Sequence, residues 1–178
     1  VQAGGFTGDT ALYYASRGAK VFSFEPDPLN FELALRNVNL NPKLSENIVI
    51  KNYAIGNDEE IDFPVDNYGT GGSSAYSISG ENTVKVKSIS ISSVLKEFNI
   101  EDPFLLDLDI KGMEFRVIKD PAISKFKLVR IEYSTVIGKN QIGKREQLVS
   151  ILNDMGFSNI RIFKHNEGMY DLLIHGTI

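Results

Sequence analysis

The chain has no cysteine, which removes disulfides and thiolate metal sites and leaves the redox compartment unreadable. It also lacks any run of basic residues. With a formal net charge of -4, a nucleic-acid backbone is a poor partner and none is expected. No apolar stretch approaches the roughly 20 residues of a membrane span. Histidine is scarce: His165 and His175 lie on or beside late strand-like runs, where surface or packing roles outweigh ligation or catalysis. There is no initiator methionine, and the chain opens directly on a glycine cluster. The expectation is that most of a first strand, and an N-terminal extension, lie outside this sequence. No internal repeat or linker interrupts the 178 residues, so residues 1–178 are expected to form one domain.

What is present is concentrated at the start. The segment Val1 to Thr10 carries Gly4, Gly5 and Gly8 and leads into the amphipathic run Ala11 to Ala15. A glycine cluster between an apolar lead-in and a helix is how a nucleotide-type cofactor is met at the edge of a parallel sheet. Gly4 and Gly8 allow a tight turn and a close approach to a ligand. The run Val21 to Pro26 then reads as a second strand ending in Glu25, at the spacing where such folds hold a ribose diol. Two carboxylate oxygens can accept from two hydroxyls, which is why an acid suits the position. A plain strand-to-helix turn for the glycines, and a helix-capping role for Glu25, are the alternatives.

The remaining chain alternates strand-like and helix-like runs. Gly8 to Arg17 predicts a helix with Leu12 and Tyr13 among its buried positions, and Pro28 to Asn39 another with Phe31, Ala34, Leu35 and Val38 on one face. Strands are expected at Lys20 to Phe24, Ile48 to Asn52, Phe104 to Leu108 and Leu128 to Tyr133. Helices are expected at Ser90 to Phe98, Lys111 to Lys119 and Lys144 to Met155. A hairpin-like insertion spans Glu60 to Val65 and Val84 to Ile89, joined by a polar tract, Asn67 to Ser74, that reads as an exposed tip or a substrate-facing lid. Ile160 to Lys164 and Tyr170 to Ile174 predict an antiparallel closing pair. This alternation argues for an α/β fold with a mostly parallel sheet and helices on both faces.

Five segments occur in order: Gly4 to Thr10, Phe24-Glu25-Pro26-Asp27-Pro28 with Asn30-Phe31, Asn52 to Gly56, Leu108-Asp109-Ile110-Lys111-Gly112-Met113-Glu114, and Ile131-Glu132-Tyr133. Together they resemble the FkbM-type S-adenosylmethionine-dependent methyltransferases over nearly the whole chain. The resemblance implies a Rossmann-like class I methyltransferase fold, S-adenosylmethionine as cofactor, and a small-molecule or sugar hydroxyl as methyl acceptor. It places the cofactor against Gln2, Gly4, Gly5, Gly8, Glu25, Pro26, Asn52 and Ala54. Asp109 becomes the candidate for orienting or deprotonating the acceptor, with Glu132 as second catalytic candidate. Glu114 is expected to bond backbone amides near its own helix start. A cytoplasmic location is the default for a cofactor-using chain without a signal segment.

The chain departs from the family's pattern at several positions. Gln2 stands where an acid usually helps hold the cofactor's ammonium, Phe6 where a small polar residue is usual, and Ser134 where many relatives have histidine. A non-catalytic descendant serving protein association is therefore the alternative function. A nicotinamide-dependent oxidoreductase is opposed by the missing Gly-x-Gly-x-x-Gly. Relatives also carry lysine and acid where Asp107 and Lys111 stand, and the exchanged signs predict a Asp107–Lys111 ion pair. Asp107, Asp109 and Glu132 could converge on magnesium, but no tight ligand spacing demands a metal and none is expected.

Overall fold

Local rules place the first elements. Gln2–Ala3 forms β1, and the glycine turn leads into α1, Asp9–Ser16. Val21–Phe24 is β2, buried along its whole length. Asp27 then caps α2, Pro28–Asn39: its carboxylate accepts the Leu29 and Asn30 amides, while Pro28 fills a first-turn position that needs no donor. A short helix α3, Pro42–Ser45, leads to β3, Ile48–Lys51. Next come β4, Tyr53–Ile55, β5, Glu59–Pro64, and β6, Thr83–Ile89. The computed structural model describes residues 1–65, 82–137, 140–166 and 169–175, so the polar tract Asn67 to Ser74 lies outside the described residues.

The chain forms two compact units, the first comprising Val1–Ala54 and Glu59–Ser88. Here β1, β2 and β3 run parallel, with Gln2 opposite Ser23 and Val21 opposite Ile48. Ala11, Ala15, Val21, Val38 and Ile48 make the core between helices and strands. A separate three-stranded sheet, β4-β6-β5, pairs β5 and β6 antiparallel over a smaller apolar cluster of Ala54, Phe63 and Val86.

The second unit comprises Ile55–Asp58 and Ile89–Ile178. Ser90 caps α4, Ile91–Glu97, and Asp58 accepts from the Ser90 amide and from the Ser90 and Ser93 hydroxyls. The strand β7, Leu105–Leu108, precedes a single helical turn, α5, Glu114–Val117, and a 3₁₀ turn at Pro121–Lys125. Then come β8, Leu128–Ser134, the short strands β9, Val136–Ile137, and β10, Asn140–Gln141, and helix α6, Arg145–Asp154. Strands β11, Ile160–Asn166, and β12, Met169–His175, close the unit. β7 and β8 are parallel, β12 is antiparallel to β8, and β11 is antiparallel to β12. The fold is thus mixed α/β, with parallel strands flanked by helices and an antiparallel pair at the C-terminal end.

Three local expectations are corrected. Tyr13 is 56% exposed, and α1 buries Ala11 and Ala15 instead. The Tyr13 ring lies under the Arg17 guanidinium, 5.4 Å away, a contact that needs a solvent-facing position. In α2 the buried stripe is Asn30, Ala34 and Val38, shifted from the predicted face, and Leu35 is exposed. The helix expected over 111–119 shrinks to one turn because Lys111 (φ 50°) and Gly112 (φ 103°) are left-handed. A right-handed helix cannot pass through two such residues.

Candidate functional site

The glycine turn is built by backbone contacts to the end of β2. The Gly4 and Gly5 amides both donate to the Phe24 carbonyl at 3.0 Å, and the Gly8 amide returns to the Gly5 carbonyl at 2.9 Å. A Cβ on Gly5 would sit 2.5 Å from the Ser23 hydroxyl, which itself donates to Gln2 Oε1 at 3.0 Å. Gly8 holds φ +80° with its Cβ direction 3.2 Å from Ala34 of α2. Both positions therefore need glycine for reasons of space, and Gly8 also for backbone conformation. Gly8 supplies no side-chain cap, so α1 presents its first amides uncapped, the arrangement that receives a carboxylate or phosphate.

Glu25 joins this turn to the next one. Its side chain is buried; Oε2 accepts from the Phe6 amide at 2.7 Å and Oε1 from the Asp27 amide at 2.9 Å. Asp27, not Glu25, caps α2. The capping alternative for Glu25 therefore falls away, and the carboxylate is held in one orientation at the carboxyl end of β2. Asn52 continues the network: its Nδ2 donates to the Glu25 carbonyl at 2.8 Å and the Pro26 carbonyl at 2.9 Å. Ala54 is buried in the small apolar cluster with Phe63 and Val86. Gln2 is buried as well, and its amide nitrogen faces the Gly4 carbonyl at 3.5 Å. Phe6 takes a left-handed φ of 44° and is 40% exposed as a residue, so it does not fill the interior of this unit. Gln2, Gly4, Gly5, Gly8, Glu25, Pro26 and Asn52 are thus brought into one hydrogen-bonded network, while Ala54 sits in packing next to it.

In the second unit the strand register sets the acids. Leu108 of β7 pairs with Ile131 of β8, so Asp109 directly follows the end of β7, whereas Glu132, expected at a strand end, lies within β8, which continues to Ser134 alongside β12. Along β8, Val129, Ile131 and Tyr133 are buried and alternate with half-buried Arg130 and Glu132. In place of the predicted Asp107–Lys111 pair, the structure gives each of the two residues another partner of opposite charge. Asp107 is 3% exposed, and Arg130 Nη1 reaches its two oxygens at 2.9 and 3.0 Å. Lys111 instead lies 3.6 Å from Asp109 Oδ1. The expectation rested on the exchange of charge signs alone; Arg130 stands opposite Asp107 on the neighbouring strand, and Lys111, in a left-handed conformation, lies beside Asp109.

Sequence reasoning gave Glu114 the right local task but missed its electrostatics. It is fully buried, and its oxygens accept from the Ile110 amide at 3.0 Å and the Gly112 amide at 2.7 Å. Burial pushes its carboxyl up to about 7, against the opposing pull of the backbone hydrogen bonds and with a further push from Asp109. The only sequence signal was its place two residues after a glycine at a strand end. Among the described residues, no group of three or more His, Cys, Asp or Glu side chains is placed to hold a metal ion.

Comparison with known proteins follows this geometry. The FkbM methyltransferase domain matches residues 2–159. No curated protein matches the sequence. Among solved structures, a methyltransferase FkbM from Methylobacillus flagellatus KT superposes with a TM-score of 0.61 at 16% identity, over 97% of this chain and 42% of that one. EvdMO1 gives 0.51 at 13% identity, over 97% of this chain and 35% of its own. The METTL16 methyltransferase domain lacking its N-terminal part gives 0.51 at 11% identity, over 99% and 73%. The chain thus spans less than half the length of the first two. At these identities the likeness is one of fold, and no helix among the described residues is long and apolar enough to cross a membrane. Because the domain match runs over nearly its whole length and the fold is that of a solved FkbM methyltransferase, this chain belongs to the FkbM methyltransferase domain family.

Proposed function

We propose that this chain binds S-adenosylmethionine and methylates an oxygen of a small-molecule or sugar hydroxyl. The observation that carries the reading is Glu25: a buried acid at a β-strand end, fixed by one amide from the glycine turn and one from the start of the next helix region. An acceptor held so rigidly loses little entropy on receiving ligand hydroxyls. When bound, the cofactor supplies a methyl group activated by a sulfonium. Glu25 accepts the ribose hydroxyls, and the uncapped amides at the start of α1 receive the amino-acid carboxylate. Gln2 lies beside Gly4, where its amide serves the ammonium end by hydrogen bonding without charge. Asn52 holds the Glu25–Pro26 backbone that borders the adenine, with Ala54 next to it. Asp109 orients the acceptor hydroxyl and takes its proton, and Glu132 is the second acid for that task. Nucleic acid is not among the proposed acceptors, and no metal is assigned.

The test places the change on the ligand, because altering Glu25 would also unseat the glycine turn. Calorimetry compares S-adenosylhomocysteine with its 2′-deoxy counterpart. Loss of one hydrogen bond to a charged group, roughly 1.5–3 kcal/mol, weakens binding about tenfold to a hundredfold. Equal affinity for the two refutes the ribose role. No binding of either, by protein shown to be folded, favours the second reading: a non-catalytic domain serving protein association, to which the neutral Gln2, engaged by Ser23, already points.

A further inference from the structure

We propose that Glu114 is a positioning residue: its buried carboxylate clamps the Ile110–Lys111–Gly112 turn and so sets how Asp109 and Lys111 are presented at the end of β7. This rests on the reading of Asp109 as the residue that handles the acceptor hydroxyl. The turn is costly by itself. Lys111 is a non-glycine residue at φ 50° and is followed by Gly112 at φ 103°. The Asp109–Lys111 pair cannot hold it, since the charged atoms are 3.6 Å apart and both side chains are about two-fifths exposed. Glu114 can. Its two oxygens grip the amides on either side of Lys111, at 3.0 Å for Ile110 and 2.7 Å for Gly112, from a site closed to water.

The grip depends on charge. An ionised carboxylate accepts at both oxygens, whereas a protonated one carries a hydrogen on an oxygen toward which an amide already points. Burial brings that change to about pH 7. Asp109 is the charged group that pushes it further up, and Lys111 lies on the same turn. Arg116 shares α5 with Glu114. On β8, whose Tyr133 ring meets Phe115 of α5 edge-on at 6.1 Å, the charged residues are Arg130, committed to Asp107, and Glu132. Below neutrality the clamp loosens, and the left-handed residue between its jaws is free to relax.

The experiment is a nuclear magnetic resonance titration of the full chain from about pH 5 to about pH 9, chosen to bracket the midpoint near 7. It follows the Ile110 and Gly112 amide shifts together with the three-bond amide–Hα coupling of Lys111, which reports φ directly. The expected result is that shifts and coupling change together through a midpoint near 7, and that Glu114→Gln abolishes the step. If the amides titrate while the Lys111 coupling stays constant, Glu114 senses a proton but positions nothing, and the proposal is overturned. Absence of any step overturns it too. Should the variant fail to fold, the wild-type titration decides alone. Neither cofactor nor acceptor is needed, so a protein that passes this test but binds no S-adenosylhomocysteine fails only the functional reading.

Discussion

Burying Glu114 should make stability fall as pH rises, and Glu114→Gln should remove that dependence. The folded-state value of about 7 lies above the ordinary glutamate value of 4.5, so the folded protein holds the proton more tightly than the unfolded chain. The contribution is therefore fully present below about pH 4.5, is lost progressively between 4.5 and 7, and is gone above. A difference of about 2.5 units at 1.36 kcal/mol each gives about 3 kcal/mol across the window. Other groups titrate as well, so the quantity to measure is the wild-type stability minus that of Glu114→Gln, from urea denaturation at intervals between pH 4 and pH 8. The glutamine keeps the size of the side chain and one acceptor, and its constant offset cancels in the slope. The difference should move by about 3 kcal/mol in favour of the variant as pH rises. In thermal melts each kcal/mol corresponds to roughly 2–4 °C for a chain of this size. A difference that is flat with pH, or that slopes the other way, refutes the claim that desolvation outweighs the two backbone hydrogen bonds.

Gly8→Ala forces a side chain into a left-handed backbone and against Ala34 at 3.2 Å. It should cost roughly 2 kcal/mol in urea denaturation, and an unchanged midpoint would show that the turn relaxes freely. Arg130→Met and Lys111→Met separate the two cations near β7. The first strips the guanidinium from the buried Asp107 and should destabilise by about 2 kcal/mol, discounted because Arg130 is half-exposed. The second removes an exposed partner at 3.6 Å and should change stability by less than about 1 kcal/mol. Equal effects would contradict the pairing described here.

The alternation of strands and helices was legible because each element carries a local signature. Pro28 in the first turn of α2, the glycine turn before α1 and the apolar strands announce themselves within a few residues, whereas the cap itself came from Asp27 and not from Glu25, the residue considered for it. What escaped was decided by specific contacts, some local and some distant, that residue type does not announce. Tyr13 has the hydrophobicity of a buried residue, yet small Ala11 and Ala15 let α1 pack closely and leave the ring to Arg17. Asp107 and Lys111 are one helical turn apart, but Arg130 lies across a parallel strand pair, 23 positions on, where spacing along the chain says nothing. The helix over 111–119 fails for a related reason: Glu114 offers its acceptors to Ile110 and Gly112, and the left-handed turn wins over helix propensity. In the site itself, Glu25 was readable as an acid at a strand end. Its two backbone donors were not, because amide partners leave no trace in residue type.

The double engagement of Glu25 bears on how relatives of this chain should be judged. The same carboxylate that the functional reading assigns to a ribose also ties Phe6 to Asp27, and so supports the glycine turn and the cap of α2. Selection for a stable fold alone would then retain this acid. A copy that had ceased methyl transfer generations ago would still display the glycine turn and its glutamate intact. Persistence of Phe-Glu-Pro-Asp in a lineage is accordingly explained by folding alone and does not by itself report a retained activity.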